Sequence, residues 1–261
     1  MGGDQGGVQA SCCQVLEVAL AEARRASRAK DEFLALLGHE LRNPLAPILT
    51  ALELMAMRGD QAVTREREVI ARQTDRLVRL VDDLLDVARI ARGTVALTRQ
   101  RLELEVVLAR SIETTSPLLE ERGHRLTIAC APGLLVDGDA HRLEQVFTNL
   151  MINAAKYTPR GGRIDVTSAA EDAEVVIRVR DNGVGIAAEA LPHVFEMFTQ
   201  EGPSIERSQG GLGLGLAIVH ALVALHGGHV RAHSAGRDQG SELEVRLPAW
   251  PADASVPPRA A

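Results

Sequence analysis

His39 lies two residues from both Leu37 and Leu41, so on a helix it points away from them and toward solvent. Glu40 adjoins it, and Asn43, four residues on, shares its face. An exposed imidazole beside a carboxylate is a candidate nucleophile with a helper base. Pro44 removes a helical hydrogen bond just beyond and is expected to kink or loosen the helix there. Taken alone, a histidine on a helix surface is more often a plain solvated residue, so the reading needs support from elsewhere in the chain.

A second group supplies it. Asn149, Asn153, Lys156 and Tyr157 fall at i, i+4, i+7 and i+8, along one face of a helix. Two carboxamides and an ammonium suit a polyphosphate carrying magnesium better than they suit a core. The amide oxygens can ligate a hard cation, and the lysine offsets phosphate charge. The competing reading is a solvated helix face, although Lys30 and Lys156 are the only lysines among many arginines.

Two glycine clusters follow. In the first, Asp181 stands at the end of an alternating stretch, with Gly183 and Gly185 just after it. A carboxylate there can accept a hydrogen bond from an exocyclic amine, and paired glycines let backbone approach a flat ring. In the second, Gly211, Gly213 and Gly215, with Leu212 and Leu214 between them, run into an apolar helix. Free N–H groups and the dipole at such a helix start attract anions. The spacing is not the dinucleotide fingerprint, and no Gly-Lys-Ser/Thr follows as in a Walker loop. Either cluster by itself is as consistent with a turn as with a site.

These groups need elements to hold them. Phe33, Leu34, Leu37, Leu41, Leu45, Ile48, Leu52 and Met55 recur at steps of three and four, which predicts an amphipathic helix. After a turn at residues 58–60, Val63, Ile70, Leu77, Leu80, Leu84 and Val87 predict a second helix, ended by Gly93. Together they read as an αα-hairpin whose apolar stripe stays wet unless a second hairpin covers it, so a homodimer is expected. Beyond residue 98 the pattern changes. A helix is expected over 104–121, strands near 125–129 and 134–136, and a helix capped by Asp139 running to Tyr157. Strands at 163–168 and 174–180, a loop-rich region over 181–210, a helix near 213–226 and strands at 229–234 and 242–247 complete the reading. Without βαβ alternation the fold class is α+β.

Composition narrows the function. A net charge of -6 argues against a non-specific nucleic-acid binder. Aromatic residues make up 2% of the chain, so the core must be aliphatic. Cys12, Cys13 and Cys130 match neither a disulfide framework nor a zinc site, and reduced thiols in a cytoplasmic protein are expected. The first residues lack a signal peptide, and the uncharged stretch 208–230 reads as a glycine loop feeding a buried helix, not a membrane segment. Any membrane sensor is therefore expected outside this chain.

The order of the clusters is more specific than any one of them. His39, Glu40 and Asn43, then Asn149 to Tyr157, then Asp181, Gly183 and Gly185, then Gly211, Gly213 and Gly215 resemble, block for block, the H, N, G1 and G2 boxes of sensor histidine kinases. Phe195 to Phe198 resembles the F box. The likeness covers residues 30–247. It implies a start and helical linker over 1–30 and a dimerisation and phosphotransfer hairpin over 31–97, two of which form a four-helix bundle. A GHKL-type α/β sandwich that binds ATP would follow over 100–248, and a disordered tail over 249–261.

The same resemblance implies ATP and Mg2+ as cofactors. His39 would attack the γ-phosphate while Glu40 takes its proton, and Asn43 would place a water that dephosphorylates a partner regulator. Asn153 would ligate magnesium, with Asn149 and Lys156 facing the phosphates and Tyr157 and Phe198 beside the nucleotide. Asp181 would read the adenine amine, next to Gly183 and Gly185. Gly211 to Gly215 would hold phosphate through backbone N–H groups, at the end of a mobile lid over 201–210. The implied partners are a second copy of the chain and a response-regulator receiver domain in trans. Residues 39–45 and 207–211 resemble hybrid kinases in particular. Leu212 stands where many relatives carry Thr or Ser, which removes a hydroxyl contact.

Two rival readings differ in class. An ATPase of the gyrase, Hsp90 or MutL type would need a glutamate base four residues before Asn153, where this chain has the uncharged Asn149. A pseudokinase that only dimerises would have no use for the intact motifs.

Overall fold

The structure is a computed structural model that describes residues 37–38, 41–55, 57, 64–199 and 212–251. The chain divides into two compact units between Leu80 and Val81.

In the first unit residues 41–55 are helical (α1) and continue through Pro44 and Pro47. Helix α2, Thr64–Ala91, starts in this unit and ends in the other. Pro44, Ala51 and Leu80 are buried, whereas Leu45, Leu49 and Leu52 are 45%, 59% and 48% exposed. The stripe read from the sequence is thus only partly covered within the chain. Gly93 stops α2 as expected: at φ 64 its N–H donates to the Ile90 carbonyl, and the Thr94 N–H donates to that of Arg89.

The second unit is a sheet with helices on one face. Its strands are β2 (Arg125–Cys130), β4 (Arg163–Glu171), β5 (Glu174–Asp181), β6 (His229–His233) and β7 (Ser241–Pro248), in the order β2-β4-β5-β7-β6. A separate ribbon pairs β1, Gln100–Glu103, with β3, Leu135–Gly138. The helices are α3 (Leu104–Glu121), α4 (Ala140–Tyr157) and α5 (Gly215–Leu225). The α+β class is borne out, with one refinement. β2 and β4 are parallel, so this sheet is mixed. Strand β1 went unread because a four-residue segment with one half-buried side chain carries no usable alternation.

Alternation sorts the two faces of the sheet. Ile164 and Val166 of β4, Val175, Ile177 and Val179 of β5, and Leu243, Val245 and Leu247 of β7 are buried toward the helices. Against them α4 turns Leu143, Val146, Phe147, Leu150, Met151 and Ala154, repeating at helical spacing. Each large aliphatic group so buried contributes about 1.5–3 kcal/mol. The opposite face is ionic. Arg178 bridges Glu171 and Glu244 at 2.8 and 2.7 Å, and Arg246 reaches the same two carboxylates at 2.8 and 2.7 Å.

Asp139 caps α4, its Oδ1 accepting from the Arg142 N–H at 3.1 Å. The Asp139 N–H donates in turn to Nε2 of His226, whose Nδ1–H donates to the Leu222 carbonyl. These partners assign the neutral imidazole, and protonation would set two N–H donors against each other at Asp139. Burial pushes this histidine below its ordinary pKa and outweighs the Leu222 hydrogen bond, which raises it. A depressed histidine pKa means that the unfolded chain binds more protons as the pH falls below about 6.5. Thermal stability of the second unit is therefore expected to fall from pH 7.5 to pH 5.5. A His226→Gln variant should start lower at pH 7.5 and lose less over the same range, and parallel slopes for the two proteins would refute the role.

Candidate active site

Helix α4 separates its faces cleanly. While one side packs the core, Asn149, Asn153 and Lys156 are half-buried along the other and Tyr157 is 50% exposed. Glycine loops close on both ends of this polar stripe.

At the start of α5, a Cβ placed on Gly215 would lie 3.8 Å from Cγ of Asn149 and 4.0 Å from Nδ2 of Asn153. Nδ2 of Asn149 also reaches the Gly215 carbonyl at 3.5 Å. The carboxamide pair and the N-terminus of α5 therefore face each other, which sets two side-chain amides beside the first turn of a helix. Leu212 and Leu214 are only 3% and 2% exposed, so their side chains belong to the core and only their backbone is free to serve a ligand. The carbonyl of Gly213 accepts from the Phe198 N–H at 3.2 Å, and both residues have positive φ, 68 and 67. That bond ties the end of the Phe195–Phe198 segment to the second glycine cluster. The Phe195 ring also lies 5.7 Å from that of His220 on α5.

At the other end of α4, the Val184 N–H donates to the Tyr157 carbonyl at 3.0 Å. Asp181 is 8% exposed at the inner end of β5. Its Oδ1 accepts from the Gly183 N–H at 2.8 Å, and its Oδ2 accepts from the Ser241 hydroxyl at 2.6 Å. The carboxylate is thereby fixed in orientation with lone pairs left for a further donor. The glycines next to it have a more immediate reason than approach to a ring. A Cβ on Gly183 would run into the Tyr157 carbonyl, and one on Gly185, at φ 67, into that of Gly236. Glycine is required there by the chain itself before any ligand is considered.

The structure thus joins Asn149, Asn153, Asp181, Gly183, Gly185, Phe198, Gly213 and Gly215 around α4, with Lys156 and Tyr157 at its end. Asn43 is exposed on α1 in the first unit. His39, Glu40 and Gly211 lie outside the described residues.

Sequence reasoning passed over Ser241 and the Arg142–Gln145 pair. A hydroxyl at the first position of a strand has no signature. Arg142 and Gln145, however, extend the spacing of Asn149, Asn153 and Lys156 back toward the helix start, and that signal was available.

Residues 138–251 match the family of histidine kinase-, DNA gyrase B- and HSP90-like ATPases, and residues 29–93 match the His Kinase A (phospho-acceptor) domain. The circadian input-output histidine kinase CikA of Synechococcus elongatus is 34% identical over 94% of this chain. The chain spans 33% of that protein's length. Among solved structures, the mycobacterial sensor histidine kinase MprB is 30% identical, covering 59% of this chain and 99% of its own, with a TM-score of 0.51. Full-length ShkA in complex with AMPPNP is 31% identical over 84% of this chain and 46% of its own, with a TM-score of 0.62. A phospho-acceptor helical domain followed by an ATPase-type domain, with both sets of motifs in place, defines a histidine kinase core. This chain belongs to the sensor histidine kinase family. Among the described residues no helix is long and apolar enough to cross a membrane.

Proposed function

We propose that the chain is a protein-histidine kinase core that moves the γ-phosphoryl group of ATP to His39, and from there to an aspartate of a response-regulator receiver domain. The observation that carries this reading is the confrontation of Asn149 and Asn153 with Gly215 at the start of α5. Two carboxamides beside the N-terminus of a helix have no purpose in a core and fit a polyphosphate bearing a hard cation.

Magnesium is held by few protein ligands and completes its shell with phosphate and water, which suits a site offering Asn153 as its protein ligand. Asn149 and Lys156 face the phosphates, and the carboxylate of Asp181, held by Ser241 and Gly183, accepts from the adenine amine. ATP supplies the transferable phosphoryl group. The residues contribute placement and charge neutralisation, which is most of what phosphoryl transfer requires. Glu40 takes the imidazole proton, and Asn43 serves the reverse reaction by orienting water at the regulator.

The functional boundary falls between residues 97 and 100. The chain acts as a homodimer in the cytoplasm, and the exposed Leu45, Leu49 and Leu52 of α1 supply an apolar line for the bundle between two copies. The relation to CikA and ShkA supports nucleotide use but does not name a regulator.

The test is incubation of the purified chain with γ-labelled ATP and Mg2+. Label that withstands base and is lost in acid is the expected result. A chain that binds ATP without taking up label would favour the pseudokinase reading, and release of phosphate without a labelled protein would favour the ATPase.

A further inference from the structure

The polar stripe of α4 does not begin at Asn149. Arg142, Gln145, Asn149, Asn153 and Lys156 follow one another at steps of three and four along one side of the helix. The first two hold a carboxylate from α2. Nη1 of Arg142 donates to both oxygens of Asp86 at 2.8 Å, Nε2 of Gln145 donates to Oδ2 at 2.7 Å, and Arg142 also donates to the Gln145 side-chain oxygen at 2.9 Å. Asp86 is 7% exposed, so this is not one of the wet surface pairs that contribute little. The end of α2 from Val81 onward belongs to the same compact unit as α4.

The segment after α2 is tied to the same turn. The Thr98 N–H donates to Oδ2 of Asp139, the residue that caps α4, at 2.9 Å. Nη2 of Arg99 donates to the Leu225 carbonyl at 2.6 Å, and its guanidinium pairs with Asp137 at 3.4 Å. Gln145 and Asn149 stand four residues apart, about 6 Å along the axis.

We infer that Asp86 is a positioning residue for phosphoryl transfer. Through Arg142 and Gln145 it locks the end of α2 onto the stripe that carries the nucleotide carboxamides, so that this end of α2 and the phosphate ligands move as one. The inference rests on the kinase reading above, but the clasp itself is open to a test that needs no catalysis. The Asp86 carboxylate is taken up by Arg142 and Gln145 and is not among the groups assigned to the nucleotide, so its loss should act on the rate and leave ATP affinity alone.

The experiment compares the whole chain with an Asp86→Asn variant and with a charge-exchanged Asp86→Arg/Arg142→Asp variant. Autophosphorylation is followed against ATP concentration, and hydrogen exchange is followed along α2 and α4. For Asp86→Asn we expect a fall in kcat of tenfold or more, an ATP KM within twofold of the parent, and faster exchange over residues 84–92. The exchanged pair should recover a substantial part of the rate. An unchanged kcat would overturn the proposal, as would a rate increase, which would make the clasp a restraint. A KM that rises in step with a lost melting transition would reduce Asp86 to a structural role and overturn it too. Should the parent take up no label, the kinase reading fails. The exchange data then still decide the clasp, because unaltered exchange over 84–92 would show that Asp86 does not hold α2.

Discussion

A His39→Gln chain is expected to bind ATP as tightly as the parent and to take up no acid-labile label. The reasoning starts from the roles that the motif order gives to residues 39 and 40. Glutamine is close to histidine in length and keeps a polar end, so the helix expected from the sequence there should tolerate it. It lacks the imidazole nitrogen lone pair that attacks phosphorus, and Glu40 then has no proton to take. A loss of a thousandfold or more corresponds to about 4 kcal/mol of transition-state stabilisation. Nucleotide affinity should stay within twofold, because Asn149, Asn153, Lys156 and Asp181 are untouched. Two measurements check this, label incorporation and titration with a fluorescent ATP analogue. Label persisting on the variant would remove His39 from the mechanism and direct the search to His124, His141 or another histidine of the chain.

The second large effect is expected at Asn153. Its carboxamide is half-buried on α4, with Nδ2 close to Gly215, and its side chain is not part of the core set of that helix. Asn153→Ala should therefore leave the melting temperature of the second unit within about 2 °C of the parent, as substitutions away from core features usually do. Autophosphorylation should fall by about a hundredfold or more, the scale seen when one preorganised group facing transition-state charge is removed. Asn153→Asp should retain more activity than Asn153→Ala, because a carboxylate remains a hard ligand, and its dependence on Mg2+ concentration should shift. If both variants show the parent's Mg2+ dependence, magnesium is not held by Asn153 and the ligand assignment is wrong.

Both expectations rest on motif order together with residue spacing, and spacing is legible because helix and strand periods are local. The polar positions 149, 153 and 156 on α4 declare their shared face through the 3.6-residue turn alone. Asp139 announced the start of that helix, and Gly93 the end of α2, through capping rules that span a few residues. The alternation in β4 and β5 likewise marked them as strands before any pairing was known. Motif order along the chain then carried the family, since four weak signals in a fixed sequence exclude most alternatives.

Only the tertiary structure decided how these faces meet. It set Ser241 against Asp181 across 60 positions of sequence, and Arg142 against Asp86 across 56. No local period encodes such pairs. They follow from strand order and helix packing, which depend on burying one common core. It also changed the meaning of residues already singled out. Gly183 and Gly185 answer first to neighbouring carbonyls, and Leu212 and Leu214 sink their side chains into the core. A sequence states which side chains a segment can offer, but which of them are consumed by packing and which remain free for a ligand is settled when distant segments exclude water together.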